Sequence, residues 1–158
     1  MNREELQNYI AGHFEGKLTL LDSGRHNLMF EVRAVDLLDV AKVLRDDENL
    51  KFDFLCCITG VDTGDKFEMV YSLASIIKNH RLDFKIILSR DNPEIETVTG
   101  IWACANWFER EIWELYGFNI KNHNNLTRFL LADDWNQGYP MRKDWDAPDF
   151  VRFPELEK

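Results

Sequence analysis

The sequence has 158 residues, of which 45% are hydrophobic and 30% are charged, which predicts a globular domain with its own core and excludes general disorder. Nineteen Lys and Arg against 28 Asp and Glu give a formal net charge of −9, which argues against nucleic-acid binding by the whole surface. The longest apolar run, residues 54–58, is far shorter than the roughly 20 residues that span a bilayer. The first ten residues lack a signal-peptide core. We therefore expect a cytoplasmic compartment and membrane contact only through partners.

The first third of the chain predicts a helix, a hairpin and a second helix. Asn2 and Glu5 have the spacing of a capping box. Residues 17–22 and 27–32 are two alternating runs, and they predict a hairpin closed by the short turn between them. Asp36 is expected to open the second helix.

The middle third predicts three consecutive antiparallel strands. Residues 52–62 are apolar on both faces, which is typical of a strand covered on two sides at the centre of a sheet. Residues 67–77 and 81–89 alternate and predict the next two strands, and Pro93 is expected to close the sheet. This order of elements predicts a two-layer α+β domain, with a mainly antiparallel sheet and helices on one face.

The last third begins with the strongest helical pattern in the chain. The period becomes helical from Thr97, and Gly117 is placed to end the helix. We expect an α+β domain over residues 1–117 and an extended partner-binding segment over residues 118–158, in which only 126–132 has the pattern of a short helix. The many aromatic side chains of this segment favour an ordered wrap onto another surface over a mobile tail.

Three cysteines stand in apolar surroundings, without the clustered spacing of a metal site. Cys56 and Cys57 are adjacent on a predicted strand and should leave it on opposite faces, so they cannot bind one ion together. We interpret these residues and Cys104 as buried structural thiols that stay reduced. We expect no intrinsic metal, and the sequence has no phosphate-binding or serine-hydrolase motif.

The predicted long helix concentrates charge beside large rings. Glu111 and Glu114 are i,i+3 neighbours, and Arg110 and Glu114 are i,i+4 neighbours. Two carboxylates suggest general acid–base catalysis, but catalytic pairs normally converge from different elements. A solvated helix face is the second interpretation, and an interface ion network is the third. The third is favoured because several large rings crowd the same region: Trp102, Trp107, Trp113 and Tyr116.

A second group of charges lies in the segment that follows. Cations and anions are interleaved there with aromatic residues, which suits docking, although turns or helix caps explain any single residue equally well. The residues are Arg128, Asp133, Asp134, Arg142, Lys143 and Asp144.

Residues 105–145 resemble the signature region of the 30 kDa subunit family of respiratory NADH:quinone oxidoreductase (complex I). The family pattern has E-R-E, then a further acid, two apolar residues and, after a spacer, His or Lys. This sequence matches it with Glu109, Arg110, Glu111, Glu114, Leu115, Tyr116 and His123, and again with the acidic pair before Trp135 and residues 140–144. It departs from the family pattern at Thr127 and Phe129.

The resemblance implies a scaffold subunit of the peripheral arm of this translocase. Such a subunit has no flavin, iron–sulfur cluster or quinone site of its own, since partner subunits hold those cofactors. It implies packing against the 49 kDa subunit of the quinone site and near the small subunit with the terminal cluster, on the cytoplasmic side of the bacterial inner membrane. The expected partner interface comprises Glu109, Arg110, Glu111, Glu114, Tyr116, His123, Arg128, Asp133, Asp134, Arg142, Lys143 and Asp144.

Other functions remain open from the sequence alone. The equivalent subunit of a membrane-bound nickel–iron hydrogenase, or of another complex I-like assembly, would share the same pattern. A free-standing hydrolase using Glu111 and Glu114 predicts turnover by the isolated chain. A simple binding module predicts a C-terminal segment that is protected from proteases only in the presence of partners.

Overall fold

A computed structural model describes residues 1–22, 24 and 27–147 of the chain. It contains three α-helices, seven strands and one 3-10 turn within these residues. The helices are α1 (Arg3–His13), α2 (Leu37–Asp46) and α3 (Ala105–Tyr116). The strands are β1 (Leu18–Leu21), β2 (Leu28–Val32), β3 (Phe54–Asp62), β4 (Lys66–Ser75), β5 (His80–Ser89), β6 (Glu94–Glu96) and β7 (Asn119–Lys121).

The main sheet has five strands in the order β1-β2-β5-β4-β3. All neighbours are antiparallel except β2 and β5, which are parallel. Side chains alternate across the sheet, so that Tyr71 of β4 faces Phe84 of β5 with the rings stacked 4.5 Å apart. The inward face shares one core cluster with buried residues from all three helices, among them Ile10, Leu44 and Ile112. The predicted two-layer α+β fold is confirmed.

Local signals in the sequence set several boundaries correctly. The side chain of Asn2 accepts the backbone N–H of Glu5 at 2.9 Å, and the Glu5 carboxylate accepts the N–H of Asn2 at 3.0 Å, which confirms the capping box. Gly117 has φ 74° and ends α3 by donating its N–H to the carbonyl of Trp113. The β1–β2 hairpin and the start of α2 after Asp36 are also confirmed. Most of the predicted hairpin turn, residues 23, 25 and 26, lies outside the described residues.

The interpretation of β3 as a central, doubly covered strand is wrong. β3 is an edge strand and only one of its faces is buried. The expected burial of the three cysteines is also wrong. The β3–β4 register shifts between Leu55 and Cys57, which places Cys56 in a bulge where it is exposed. Cys57 is half-buried, and Cys104 is exposed at the start of α3.

The main sheet ends before Pro93, as expected, because β6 belongs to a separate two-stranded sheet in which it pairs in parallel with β7, with Ile95 opposite Ile120. Two further expectations fail around the long helix. The helix begins at Ala105 and not at Thr97, since the intervening residues form turns that bury Val98 and Trp102. Residues 126–132, which have the pattern of a short helix, contain no helix.

The division at residue 117 stays a prediction. β7 lies just beyond it and pairs with β6, so the residues immediately after α3 belong structurally with those before it. Leu126 packs on the same core cluster.

Candidate functional site

The candidate site is built on α3, which carries four of the charged residues singled out by the sequence: Glu109, Arg110, Glu111 and Glu114. One side of the helix packs on β3, where an added Cβ at Gly60 would lie 3.0 Å from the ring of Tyr116 and 3.5 Å from Ile112. Gly60 therefore allows the helix to approach the edge strand closely. The opposite side of α3 is left to face the segment that follows β7.

Glu109 is fully buried and ties α3 to the residues that follow β6. Its carboxylate accepts the backbone N–H of Val98 at 2.7 Å and the hydroxyl of Thr97. Burial raises the pKa of Glu109 to about 7, against the opposing effect of these two hydrogen bonds. The Nε2 of His123 lies 3.7 Å from Glu109 Oε2.

His123 is oriented by its other ring nitrogen. Its Nδ1 accepts the backbone N–H of Asn125 at 3.0 Å, which leaves the proton of the neutral ring on Nε2, toward Glu109. Burial lowers the pKa of His123, against the opposing effect of a hydrogen bond with Asn106, and the positive charge of Arg110 also lowers it.

Arg110 binds the loop that follows through backbone carbonyls. Its Nε donates to the carbonyl of Thr127 at 2.8 Å, and Nη2 donates to that of Arg128 at 3.5 Å. The guanidinium carbon lies 4.7 Å from the centre of the Trp107 ring and 4.8 Å from that of Phe129, within the range of cation–π attraction. Arg110 has no carboxylate within 4 Å in the described part of the chain.

Glu114 binds the next three residues of the same loop through their N–H groups. Its two carboxylate oxygens accept from Leu130 at 3.0 Å and Leu131 at 3.1 Å, and both lie 3.4 Å from the nitrogen of Phe129. Glu114 is buried, so these bonds replace the water it would otherwise bind. We call residues 127–131, which Arg110 and Glu114 hold, the clamped loop.

A second set of bonds anchors the chain beyond the clamped loop. Asp62, at the end of β3, accepts from Arg90 and from the N–H of Lys143 at 2.8 Å, while Arg90 also pairs with Asp144 at 2.8 Å. Burial alone would raise the pKa of Asp62, but Arg90 and the N–H groups of Lys143 and Gly64 outweigh it and lower the pKa to about 2.

Arg142 is the other anchor of this region. It donates to the carbonyl of Tyr116 at 2.6 Å and lies over the rings of Tyr139 and Phe67. Tyr116 itself is half-buried and packs edge-on against Phe67 and Phe118. Arg142 and Tyr116, which are both predicted interface residues, therefore have contacts within this chain.

The remaining predicted interface residues lie toward solvent. Arg128 is half-buried and donates to the backbone carbonyl of Asp133. The others are exposed: Glu111, Asp133, Asp134, Lys143 and Asp144. The two carboxylates of the hydrolase interpretation thus differ, since Glu111 is exposed while Glu114 is buried and bonded to backbone amides. Both oxygens of Glu114 already accept backbone N–H groups.

Large apolar side chains cover the outer surface of α3 and of the segment it holds. Trp107 is 56% exposed, and its ring meets that of Phe129 edge-on with centres 5.2 Å apart. The exposed set is Trp107, Phe129, Leu130, Tyr139 and Met141, and we call it the apolar docking face. The sequence indicated the aromatic surplus, but it did not reveal the clamped loop, or the pairing of Asp62 with Arg90.

Comparison with known proteins gives the family. The model of the 30 kDa subunit of respiratory-chain NADH dehydrogenase matches residues 30–151. The chain belongs to this family. It is 38% identical over 143 residues to the C subunit of NADH-quinone oxidoreductase from Chloroherpeton thalassium, covering 89% of this chain and 59% of the relative. It is 39% identical over 130 residues to the same subunit from Citrifermentans bemidjiense, covering 79% of each. The chain thus spans less than two thirds of some of these relatives.

Two solved structures share the fold of this 30 kDa-family chain. A chain of the membrane-bound sulfane sulfur reductase, an archaeal respiratory membrane complex, superposes with a TM-score of 0.79 at 23% identity, covering 98% of this chain and 96% of the other. A trypsin-resistant fragment of Nqo5 superposes with a TM-score of 0.65 at 23% identity, covering 80% of this chain and all of the fragment. Within the described residues, no helix is both long and apolar enough to cross a membrane.

Proposed function

We propose that this chain is a non-catalytic scaffold subunit in the peripheral arm of a proton-translocating NADH:quinone oxidoreductase. It docks on the 49 kDa-type subunit that forms the quinone site, close to the small subunit that carries the terminal cluster. The family supports the assembly, since the relatives are themselves subunits of NADH-quinone oxidoreductase. Flavin, iron–sulfur clusters and quinone belong to the partner subunits, and the assembly holds the chain at the cytoplasmic side of the inner membrane.

The observation that carries the docking proposal is the apolar docking face on an ordered backbone. Leu130 and Met141 are each more than half exposed, yet the loop around Leu130 is fixed by Glu114 and the N–H of Met141 donates to the carbonyl of Leu115. Exposed apolar side chains on a fixed backbone lose little conformational entropy when a partner covers them. This face is therefore suited to a permanent neighbour.

The buried signature residues act indirectly in this proposal. Glu109 and Glu114 make their hydrogen bonds within the chain and shape the surface that docks. The exposed members of the predicted interface, Glu111 and Asp134 among them, form its polar rim. That these residues contact the partner stays a prediction.

Co-purification from membranes tests the proposal. The full chain, tagged and expressed in place of the native copy, is expected to bring down the quinone-site subunit after mild detergent extraction. Leu130→Asp combined with Met141→Asp should greatly reduce this recovery, because two charges would be buried in the contact. Val35→Asp is the matched control, since Val35 is 85% exposed outside the docking face. Recovery of nickel–iron hydrogenase subunits in place of the quinone-site subunit would favour the alternative assembly.

A further inference from the structure

Arg110 is only 7% exposed, yet it carries a positive charge with no ion pair among the described residues. Its hydrogen bonds go to two carbonyls, and no carboxylate of the described residues lies within 4 Å of it. Glu114, one turn further along α3, is occupied by the N–H groups of the clamped loop. The positive charge of Arg110 is therefore not neutralised by an ion pair within the described chain, which is costly for a buried cation.

One end of the guanidinium remains open to an outside acceptor. Nε and Nη2 bind Thr127 and Arg128, while Nη1 has no acceptor among the described residues. The only buried side-chain nitrogen or oxygen without a hydrogen-bond partner in those residues is Nδ1 of His80. Nη1 is thus not sealed inside the protein.

The rings of Trp107 and Phe129 flank the guanidinium of Arg110 and define a binding site around it. Trp107 and Phe129 lie on the guanidinium at 4.7 and 4.8 Å and themselves remain 56% and 39% exposed. They hold the planar guanidinium in one orientation and would exclude water from whatever binds it. A carboxylate meets the geometry of a guanidinium edge, and a less polar surround strengthens the pair.

We propose that Arg110 is the socket for a single carboxylate of the quinone-site subunit, with Trp107 and Phe129 as its apolar rim. This inference rests on the proposed function and names the chemistry that the docking face recognises. The chain has a formal net charge of −9 and repels anions as a whole, so a partner carboxylate is attracted only at a local cation such as Arg110. The partner contributes an Asp or Glu surrounded by apolar side chains.

The test places a competing carboxylate at the rim without touching Arg110. Trp107 precedes Arg110 by one turn, so Trp107→Glu creates an intrahelical acid–base pair that occupies the guanidinium. Trp107→Gln is the matched control, because it removes the same ring and adds no charge. The measurement is the dissociation constant of each full-length chain for the purified assembly that lacks this subunit, at two ionic strengths.

Trp107→Glu is expected to weaken binding at least about tenfold more than Trp107→Gln, as loss of a desolvated charge pair does. Arg110→Met should weaken binding and reduce its salt dependence. Equal weakening by Glu and Gln at position 107 would overturn the socket while leaving the proposed scaffold function intact. Failure of the wild-type chain to bind the assembly would instead overturn the proposed function itself. A charge-dependent loss that persists when the assembly lacks the quinone-site subunit would place the carboxylate elsewhere and overturn this assignment.

Discussion

Arg110 and Glu114 lie one turn apart on α3, yet they bind opposite polar groups of the same loop and make no ion pair with each other. Arg110 takes the carbonyls of Thr127 and Arg128, and Glu114 takes the N–H groups of Phe129, Leu130 and Leu131. An i,i+4 pair with this spacing usually forms a surface ion pair that contributes little to stability. Here the loop separates the two charges and becomes ordered by both.

Glu114→Gln tests the clamped loop. The amide keeps the shape of the carboxylate but offers one acceptor oxygen in place of two, and its NH₂ group faces backbone donors. We expect a loss of about 2–3 kcal/mol in the free energy of unfolding, measured by urea denaturation. Trypsin should also cleave faster after Arg128. Glu111→Gln is the control, because Glu111 is exposed on the same helix. Equal stability of the two variants would show that the clamp does not stabilise the fold.

Glu109 predicts a specific pH dependence of stability. Its folded pKa of about 7 lies above the usual 4.5, so the folded chain binds a proton that the unfolded chain releases. The stabilisation is complete below pH 4.5 and is lost as the pH rises to about 7. Glu109→Gln should remove this loss, so its advantage over wild type should grow by about 3 kcal/mol between pH 4.5 and 8.

The neighbouring His123 should change the free energy of unfolding with pH in the opposite direction. The pKa of His123 is lowered, and its contribution is therefore lost as the pH falls below 6.5, which is the opposite direction. Wild type and Glu109→Gln both retain His123, so the difference between their unfolding free energies reports Glu109 together with its contact to His123. A difference that does not change with pH would contradict the assigned proton.

Asp62→Asn should release the segment around Lys143 at neutral pH. The lowered pKa of Asp62, about 2 against a usual 3.8, stabilises the fold above pH 3.8, and this stabilisation disappears as the pH falls to about 2. The variant is expected to lose about 2 kcal/mol at pH 7 and less than about 0.5 kcal/mol at pH 2. Asp65→Asn, in the neighbouring exposed turn, should change little. A constant deficit at all pH values would point to packing and not to charge.

Gly117→Ala should destabilise the junction between α3 and β7. Gly117 has φ 74°, and an added Cβ would collide with the ring of Tyr139. The left-handed backbone alone costs about 1–3 kcal/mol for a residue with a side chain. Gly100→Ala is the control, because nothing lies within 4 Å of a Cβ there. Tyr139→Ala should recover the part of the loss that the collision causes, and no recovery would assign the whole loss to the backbone.

Local and periodic features of the fold were predictable from the sequence. The capping box of Asn2 and Glu5 and the end of α3 at Gly117 depend on a few neighbouring residues, so the pattern alone determines them. The edge position of β3 did not follow from its apolar run. An edge strand also has buried apolar residues where a helix packs on one of its faces, as α3 does on β3. The β6–β7 pair joins Ile95 to Ile120, and three-residue strands carry too little periodicity to be recognised.

The contacts of the candidate site were not predictable from the sequence. The sequence selected Glu109, Arg110 and Glu114 as residues of a partner interface, and the structure shows their hydrogen bonds within the chain. Their contact with a partner subunit stays a prediction. A charged residue on α3 can bind the backbone of its own chain or a partner subunit. Which of the two it binds depends on the path of the clamped loop, which has no secondary structure that the sequence could predict. The pairing of Asp62 with Arg90 joins positions 28 residues apart, and no local pattern indicates it.

The central claim is that the apolar docking face lies against the quinone-site subunit, and photo-crosslinking tests it most directly. A photoreactive amino acid replaces Leu130 in the full chain, and the assembled complex is irradiated in the membrane. The same substitution at Val35 is the control, since both side chains are exposed. We predict that position 130 forms an adduct with the quinone-site subunit and position 35 does not. An assembled complex in which position 130 yields no adduct with that subunit, while position 35 does, would contradict the account.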